Sequence, residues 1–210
     1  MKVELIAETR FLRNIDLGST NDLEALTYFA AKICHNKHEG SEETGRHKVA
    51  TFIKKFVIDM DHSSLLEHYS FTFLVEGISR CCSHQLVRHR IGSYHQKSQR
   101  YVKEENLIVV PLTVENDRDA FDIYSTASDT IRSAYLKLID LGIPLEDARY
   151  LLPGASKTSI LVTWNVRTLL HVLRLRLWKD GAQWEIKEML QKMLDIVKTR
   201  SDVIFNEPKS

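Results

Sequence analysis

Val49, Phe52, Ile53, Phe56, Val57 and Met60 recur at intervals of three and four residues. An α-helix gathers such a set on one face, so this segment must lay an apolar stripe on a core while Lys48, Lys54 and Lys55 stay in water. The same period joins Leu23, Leu26, Ala30 and Ile33. That helix opens at the capping residues Ser19-Thr20-Asn21-Asp22, has Glu24 three after Asn21, and should end near His35 before a polar loop holding Gly40 and Gly45.

A period of two marks strands. Val3, Leu5 and Ala7 form a short one, Ser70 to Ile78 alternates with Phe71, Phe73 and Val75 on one side, Leu107 to Val110 closes at Pro111, and Ser159 to Trp164 has strand character. Ser64 and Glu67 could make a capping box at a short helical turn, and residues 79 to about 89 read as a helix interrupted at Gly92-Ser93. A long helix is expected over about 117–141, with Phe121, Ala127, Ile131, Ala134, Leu138 and Leu141 inward and Gly142 just past its end. Pro144 opens a short helix that Pro153-Gly154 stops. Asn165 looks like the cap of a helix with Val166, Leu169, Leu170, Leu173 and Leu177 on one side, Arg167, His171 and Arg174 on the other, and Arg176 between. The last helix starts near Ala182 and carries Ile186, Leu190, Met193 and Val197 in register.

With 43% apolar content, 210 residues can bury a substantial core, and a single domain over 1–210 is expected. The net charge of +1 argues against a nucleic-acid partner held mainly through phosphates. No signal-peptide core or membrane-spanning apolar run occurs, and three cysteines make no disulfide framework; a soluble cytoplasmic protein is expected. None of the eight glycines forms a Rossmann or P-loop cradle.

Arg88 to Tyr101 is hardest to explain as packing. It holds three arginines, a lysine, two histidines, two serines and two tyrosines, with no carboxylate between Arg80 and Lys103. Such a segment is either a solvated basic loop or a grip for an anion, and its neutral donors suit the second. Arg149, Arg167, Arg174 and Arg176 form another basic set, for which ion pairing or solvation is an equal alternative. His62, His68 and the Cys81-Cys82-x-His84 group lack the spacing of a common zinc site, so no metal is expected. The two adjacent cysteines lie near positive charge that could activate a thiol, but they also read as small buried side chains.

Arg88-His89-Arg90-x-x-Ser93-x-x-x-x-Ser98-x-Arg100 resembles the signature of the flavin-dependent thymidylate synthases and matches it at all six specified residues. His62-x-x-x-x-Glu67-His68 with Phe71-Thr72-Phe73 looks like that family's upstream flavin region. Arg149-x-x-Leu152-Pro153, Thr163-Trp164-Asn165-x-Arg167, Leu175-Arg176 and Ala182-Gln183-Trp184-Glu185 look like its downstream half. The resemblance implies an α+β fold, with long helices around a small, mainly antiparallel sheet, assembled as a homotetramer with shared active sites. It implies methylation of dUMP to dTMP, with 5,10-methylenetetrahydrofolate as carbon donor and FAD, reduced by NADPH, as hydride carrier.

By the same resemblance Arg176 and Ser98 are the catalytic candidates, Ser98 as a hydrogen-bond donor to dUMP because no base is placed to activate it. Gln85, Arg88, Gln96, Ser98, Arg100, Arg149 and Arg176 match positions that hold dUMP. His62, Ser64, Glu67, Arg88, His89, Arg90, Gln96, Asn165, Arg167 and His171 match positions around FAD. The chain departs from the pattern at His95, Gln96, His171 and Cys34. Two rivals remain: a nucleic-acid or nucleotide-binding regulator using the two arginine clusters, which leaves the tight motif and the near-neutral total charge unexplained, and a flavoprotein reductase without methyl transfer.

Overall fold

The computed structural model describes residues 1–13, 17–18, 20–35, 45–104 and 108–206. In chain order they form β1 (Lys2–Glu8), α1 (Asp22–Cys34), α2 (Arg46–Phe52), a π-helix (Ile53–Asp59), a 3-10 turn (Ser63–His68), β2 (Ser70–Ser79), α3 (Arg80–Leu86), β3 (Ser93–Gln96) and α4 (Leu112–Glu115). There follow α5 (Arg118–Asp140), α6 (Leu145–Ala148), a second 3-10 turn (Arg149–Leu151), β4 (Lys157–Asn165), α7 (Val166–Arg176) and α8 (Trp184–Lys198). This is an α+β architecture with a small antiparallel sheet in the order β1-β2-β4-β3. No helix of the described residues is long and apolar enough to cross a membrane.

The chain divides into two compact units. The first holds Met1–Lys2, Val75–Arg88 and Tyr94–Ile160; the second holds Val3–Leu74, His89–Ser93 and Leu161–Ser210.

In the second unit α7 and α8 bury the faces their periods predict, whereas α1 buries Leu23, Ala25, Thr27 and Ala31 and leaves the expected Ile33 exposed. Asn21 Oδ1 accepts from Glu24 N at 2.9 Å and starts α1; Ser19, Gly40 and Leu107 lie outside the described residues. Asn165 Oδ1 accepts from Thr168 N at 2.8 Å and starts α7, which buries Val166, Leu169, Leu170, Val172 and Leu173. Helix α8 begins at Trp184, two residues later than expected, because the Gln183 side chain supplies the cap by accepting from Glu185 N. It buries Ile186, Met189, Leu190, Met193, Leu194 and Val197.

The segment from Val49 to Met60 departs from a single α-helix. Helix α2 ends at Phe52 and the chain widens into a π-helix, so that Met60 N donates to Lys55 O, five residues back. Val49, Ile53 and Val57 stay buried, but the wider turn carries Met60 off the stripe to 55% exposure. Asp61 then takes a left-handed backbone, φ 55°. The turn after it is 3-10, and its cap position is His62 with no side-chain cap bond. Ser64 therefore lies inside the turn and not at its cap, so the expected Ser64–Glu67 capping box has no place there, and Glu67 pairs with Arg167.

In the first unit Ser79 Oγ accepts from Cys82 N and starts α3, which stops at Leu86, short of His89. The expected strand near Val110 is reduced to one antiparallel bridge, Ile108 to Ser156. Helix α5 has its cap at Asp117, as expected, but its predicted inner face is poorly covered: Phe121, Ala127 and Leu141 are exposed and Tyr135 is the buried residue. Its neighbours are the short elements α4, α6 and the Arg149–Leu151 turn, too small to cover a 23-residue stripe.

Candidate active site

The sequence candidates fall into two groups, one in each unit. In the first unit lie Gln85, Arg88, Gln96, Ser98, Arg100 and Arg149. Helix α3 carries Gln85, and Ser98 follows β3, a strand that the basic segment did not announce. Ser98 Oγ accepts from Arg100 N at 3.2 Å, so its oxygen helps shape the turn that presents Arg100. Gln96 turns toward its own unit: Nε2 donates to Ser83 Oγ at 2.8 Å and Thr158 Oγ1 at 3.2 Å. Arg80 donates to the buried Gln99 at 3.0 Å. Arg88 is exposed.

Glu146 organises the arginines of this group, and the sequence reading did not single it out. Its carboxylate receives Arg100 Nε at 2.9 Å and Nη2 at 2.7 Å, and its backbone carbonyl accepts from Arg149 Nε at 3.1 Å. The Glu146 hydrogen bond holds the Arg100 guanidinium firmly charged. Exposed ion pairs of this kind are weak in water, so a phosphate carrying more charge can take the carboxylate's place. Its signal in the sequence was its place one turn before Arg149, at the start of α6.

In the second unit the 3-10 turn presents His62, Ser64 and Glu67, all exposed, and the start of α7 presents Arg167, which pairs with Glu67. Arg90 is also exposed, and Asn165 uses its side-chain oxygen to cap α7. Arg167, His171 and Arg174 follow one face of that helix, three and four residues apart, and line a cavity of about 220 Å³ with Asp61, Ser63, Val57, Ile58, Leu66 and Leu170. Asp61, Ser63 and Arg174 thus join the candidates. For Arg174 the helical period already pointed there; for Asp61 the left-handed turn after the π-helix does it, and no pattern announces that.

His89 and Arg176 meet in this unit although 87 residues separate them: Arg176 Nε donates to His89 Nε2 at 3.3 Å. His89 stands edge-on to Trp164, ring centres 6.4 Å apart. Burial, and then the charges of Arg176 and His171, push the His89 pKa down, so the imidazole is held neutral with Nε2 as acceptor. The approach depends on Gly92: a Cβ there would sit 2.4 Å from Cδ1 of the buried Trp164.

A cationic cavity beside exposed donors suits a phosphate-bearing cofactor, and a half-buried arginine held by a neutral histidine suits a ring on which charge develops. Among the described residues no cluster of three or more His, Cys, Asp or Glu could hold a metal. Cys82 is buried, while Cys34 and Cys81 are exposed.

Residues 17–201 match the family model described as thymidylate synthase complementing protein. The chain is 42% identical over 197 residues to the flavin-dependent thymidylate synthase of Geobacter sulfurreducens, covering 91% of this chain and 84% of that one. Its fold is similar to a UMP/dUMP methylase from Streptomyces cacaoi solved with 5-Br dUMP, at TM-score 0.82 and 22% identity over 97% of this chain and 92% of that one. It is also similar to thymidylate synthase X from Helicobacter pylori solved with FAD and dUMP, at TM-score 0.76 and 23% identity over 98% of each chain. The chain therefore belongs to the thymidylate synthase complementing protein family, the flavin-dependent thymidylate synthases.

Proposed function

We propose that this chain is a flavin-dependent thymidylate synthase. It methylates dUMP to dTMP, takes the carbon from 5,10-methylenetetrahydrofolate, and works as one catalytic domain over 1–210 in a cytoplasmic homotetramer with shared active sites. The observation that carries the reading is the bond between His89 of the six-residue motif and Arg176 from the other half of the sequence.

Arg88, Arg100 and Arg149 hold the dUMP phosphate in this reading, with Glu146 yielding to it, while Gln85, Gln96 and Ser98 give neutral hydrogen bonds. Arg176, steadied by His89, faces the uracil, where its fixed charge stabilises the negative charge that develops as C5 attacks. The residues His62, Ser64, Glu67, His89, Arg90, Asn165, Arg167 and His171, with Arg88 and Gln96, hold FAD. When bound, FAD supplies hydride transfer, its reducing equivalents coming from NADPH. The chain's own contribution is positioning: Arg167, His171 and Arg174 bind anionic groups, and the neutral His89 orients Arg176 without competing for a proton.

The visible spectrum of the purified chain supplied with FAD is the first test. Flavin uptake followed by dTMP formation from dUMP, methylenetetrahydrofolate and NADPH under anaerobic conditions is the expected result. Uptake without dTMP would leave a reductase, and no uptake would remove both readings.

A further inference from the structure

Glu104 is the first carboxylate after the basic segment, and its side chain, only 13% exposed, turns back to Lys97, with Oε2 2.7 Å from Nζ. Each partner is also fixed through its backbone. Lys97 N donates to Ser159 O of β4 at 2.9 Å, and Glu104 N donates at 3.1 Å to the hydroxyl of Tyr135, which is buried on α5. Between these two feet the chain makes one turn. Ser98 O accepts from Val102 N at 3.1 Å, Ser98 Oγ accepts from Arg100 N, and the buried Gln99 is held by Arg80. Arg100 stays exposed. All of these residues belong to the first unit.

We propose that Lys97 and Glu104 are positioning residues for the dUMP site. Their ion pair ties the two ends of the 97–104 loop to each other, so that Ser98 and Arg100 already stand in place when the nucleotide arrives. The inference rests on the reading of Ser98 and Arg100 as dUMP contacts. Stability alone explains such a pair poorly, because the loss of water around two charges offsets most of their attraction. Geometry explains it better. The backbone bonds fix one end to β4 and the other to α5, whereas the side-chain pair joins the ends directly. A loop left untied loses its freedom only when ligand binds, and that ordering weakens affinity. The pair has a second effect on charge: with its ammonium matched by Glu104, Lys97 leaves the phosphate to Arg88, Arg100 and Arg149.

The test is dUMP titrated calorimetrically into the flavin-loaded chain, with flavin content and melting temperature read on the same samples. Lys97→Met combined with Glu104→Leu replaces the pair by an apolar contact and leaves neither charge unpaired. This double variant should keep its flavin, bind dUMP about tenfold more weakly and show a matching rise in the KM for dUMP, while the KM for methylenetetrahydrofolate stays within about twofold. Lys97→Arg keeps the pair and should bind dUMP within about twofold of the wild type. Should the double variant not fold, Glu104→Gln decides: it keeps an acceptor for Lys97 without the charge, and a loss of about threefold in dUMP affinity at unchanged flavin content is expected. A folded double variant that binds dUMP like the wild type, whatever its melting temperature, would show a pair that serves stability alone and overturn the assignment. Equal losses of flavin and dUMP, a Lys97→Arg variant as weak as the double variant, or wild-type affinity in Glu104→Gln when the double variant does not fold would overturn it too. A wild-type chain that takes up flavin but binds no dUMP would overturn the functional reading itself, and this assignment with it.

Discussion

Nε of Arg176 donates to Nε2 of His89 across 3.3 Å, so the arginine of one helix end is oriented by a histidine from the basic motif. The bond requires an unprotonated Nε2, and the half-buried, positively charged surroundings keep it so. A neutral acceptor leaves the remaining guanidinium N–H groups to point at a ligand with their direction fixed.

Acid should undo this arrangement. The folded His89 pKa lies below its ordinary value of 6.5, so in the window between the two the unfolded chain binds more protons than the native one. Stability contributed by the neutral imidazole is therefore full above pH 6.5 and declines as pH falls toward the folded pKa. His89→Gln keeps an acceptor that does not titrate, and its melting temperature should fall less on acidification from about pH 7.5 to 5. Parallel melting profiles of the two proteins would refute the assignment.

Arg176→Ala should reduce dTMP formation by about a hundredfold or more, the usual consequence of deleting a donor that faces developing charge. Flavin content should be nearly unchanged, because Arg167, His171 and Arg174 line the cationic cavity without it. Turnover and absorbance measured on the same sample check both halves; full activity in the variant would remove Arg176 from the reaction.

Glu146→Gln should tighten dUMP binding by roughly three- to tenfold at low salt, since the phosphate no longer competes with a carboxylate for Arg100. The gain should shrink as salt screens the charges. Calorimetric titration at two ionic strengths tests this, and weaker binding at both would show that Glu146 supports the arginines and does not block them.

Gly92→Ala should destabilise the chain by about 1–3 kcal/mol, because the new methyl group overlaps the buried Trp164 ring. Urea unfolding reads the loss directly. An unchanged midpoint would mean that the indole can shift without penalty.

Much of the fold was legible because the signals are local. Asn21 and Asn165 cap the helices they were expected to cap, and the alternation from Phe71 to Val75 becomes a buried strand. These features rest on side chains acting on backbone a few residues away, which a linear pattern records. The π-helix from Ile53 was not legible, because no residue type marks where the ladder changes from four residues back to five, and the change shows only in the bond from Met60 N to Lys55 O and in the exposure of Met60. The inner face assigned to α5 failed for another reason: a period states which residues share a face, not whether anything large enough lies opposite.

The candidate site divides in the same way. The sequence by itself determined the basic motif, its six matching positions and the helix face of Arg167, His171 and Arg174, since each is a matter of residue type and spacing. Tertiary structure alone decided that Arg176 meets His89, that Glu146 holds Arg100 and that Asp61 and Ser63 join Arg167, His171 and Arg174 around one cavity. Those relationships join residues far apart along the chain, or depend on burial. Charge and hydrogen bonding act through space, and only folding sets the distances over which they act.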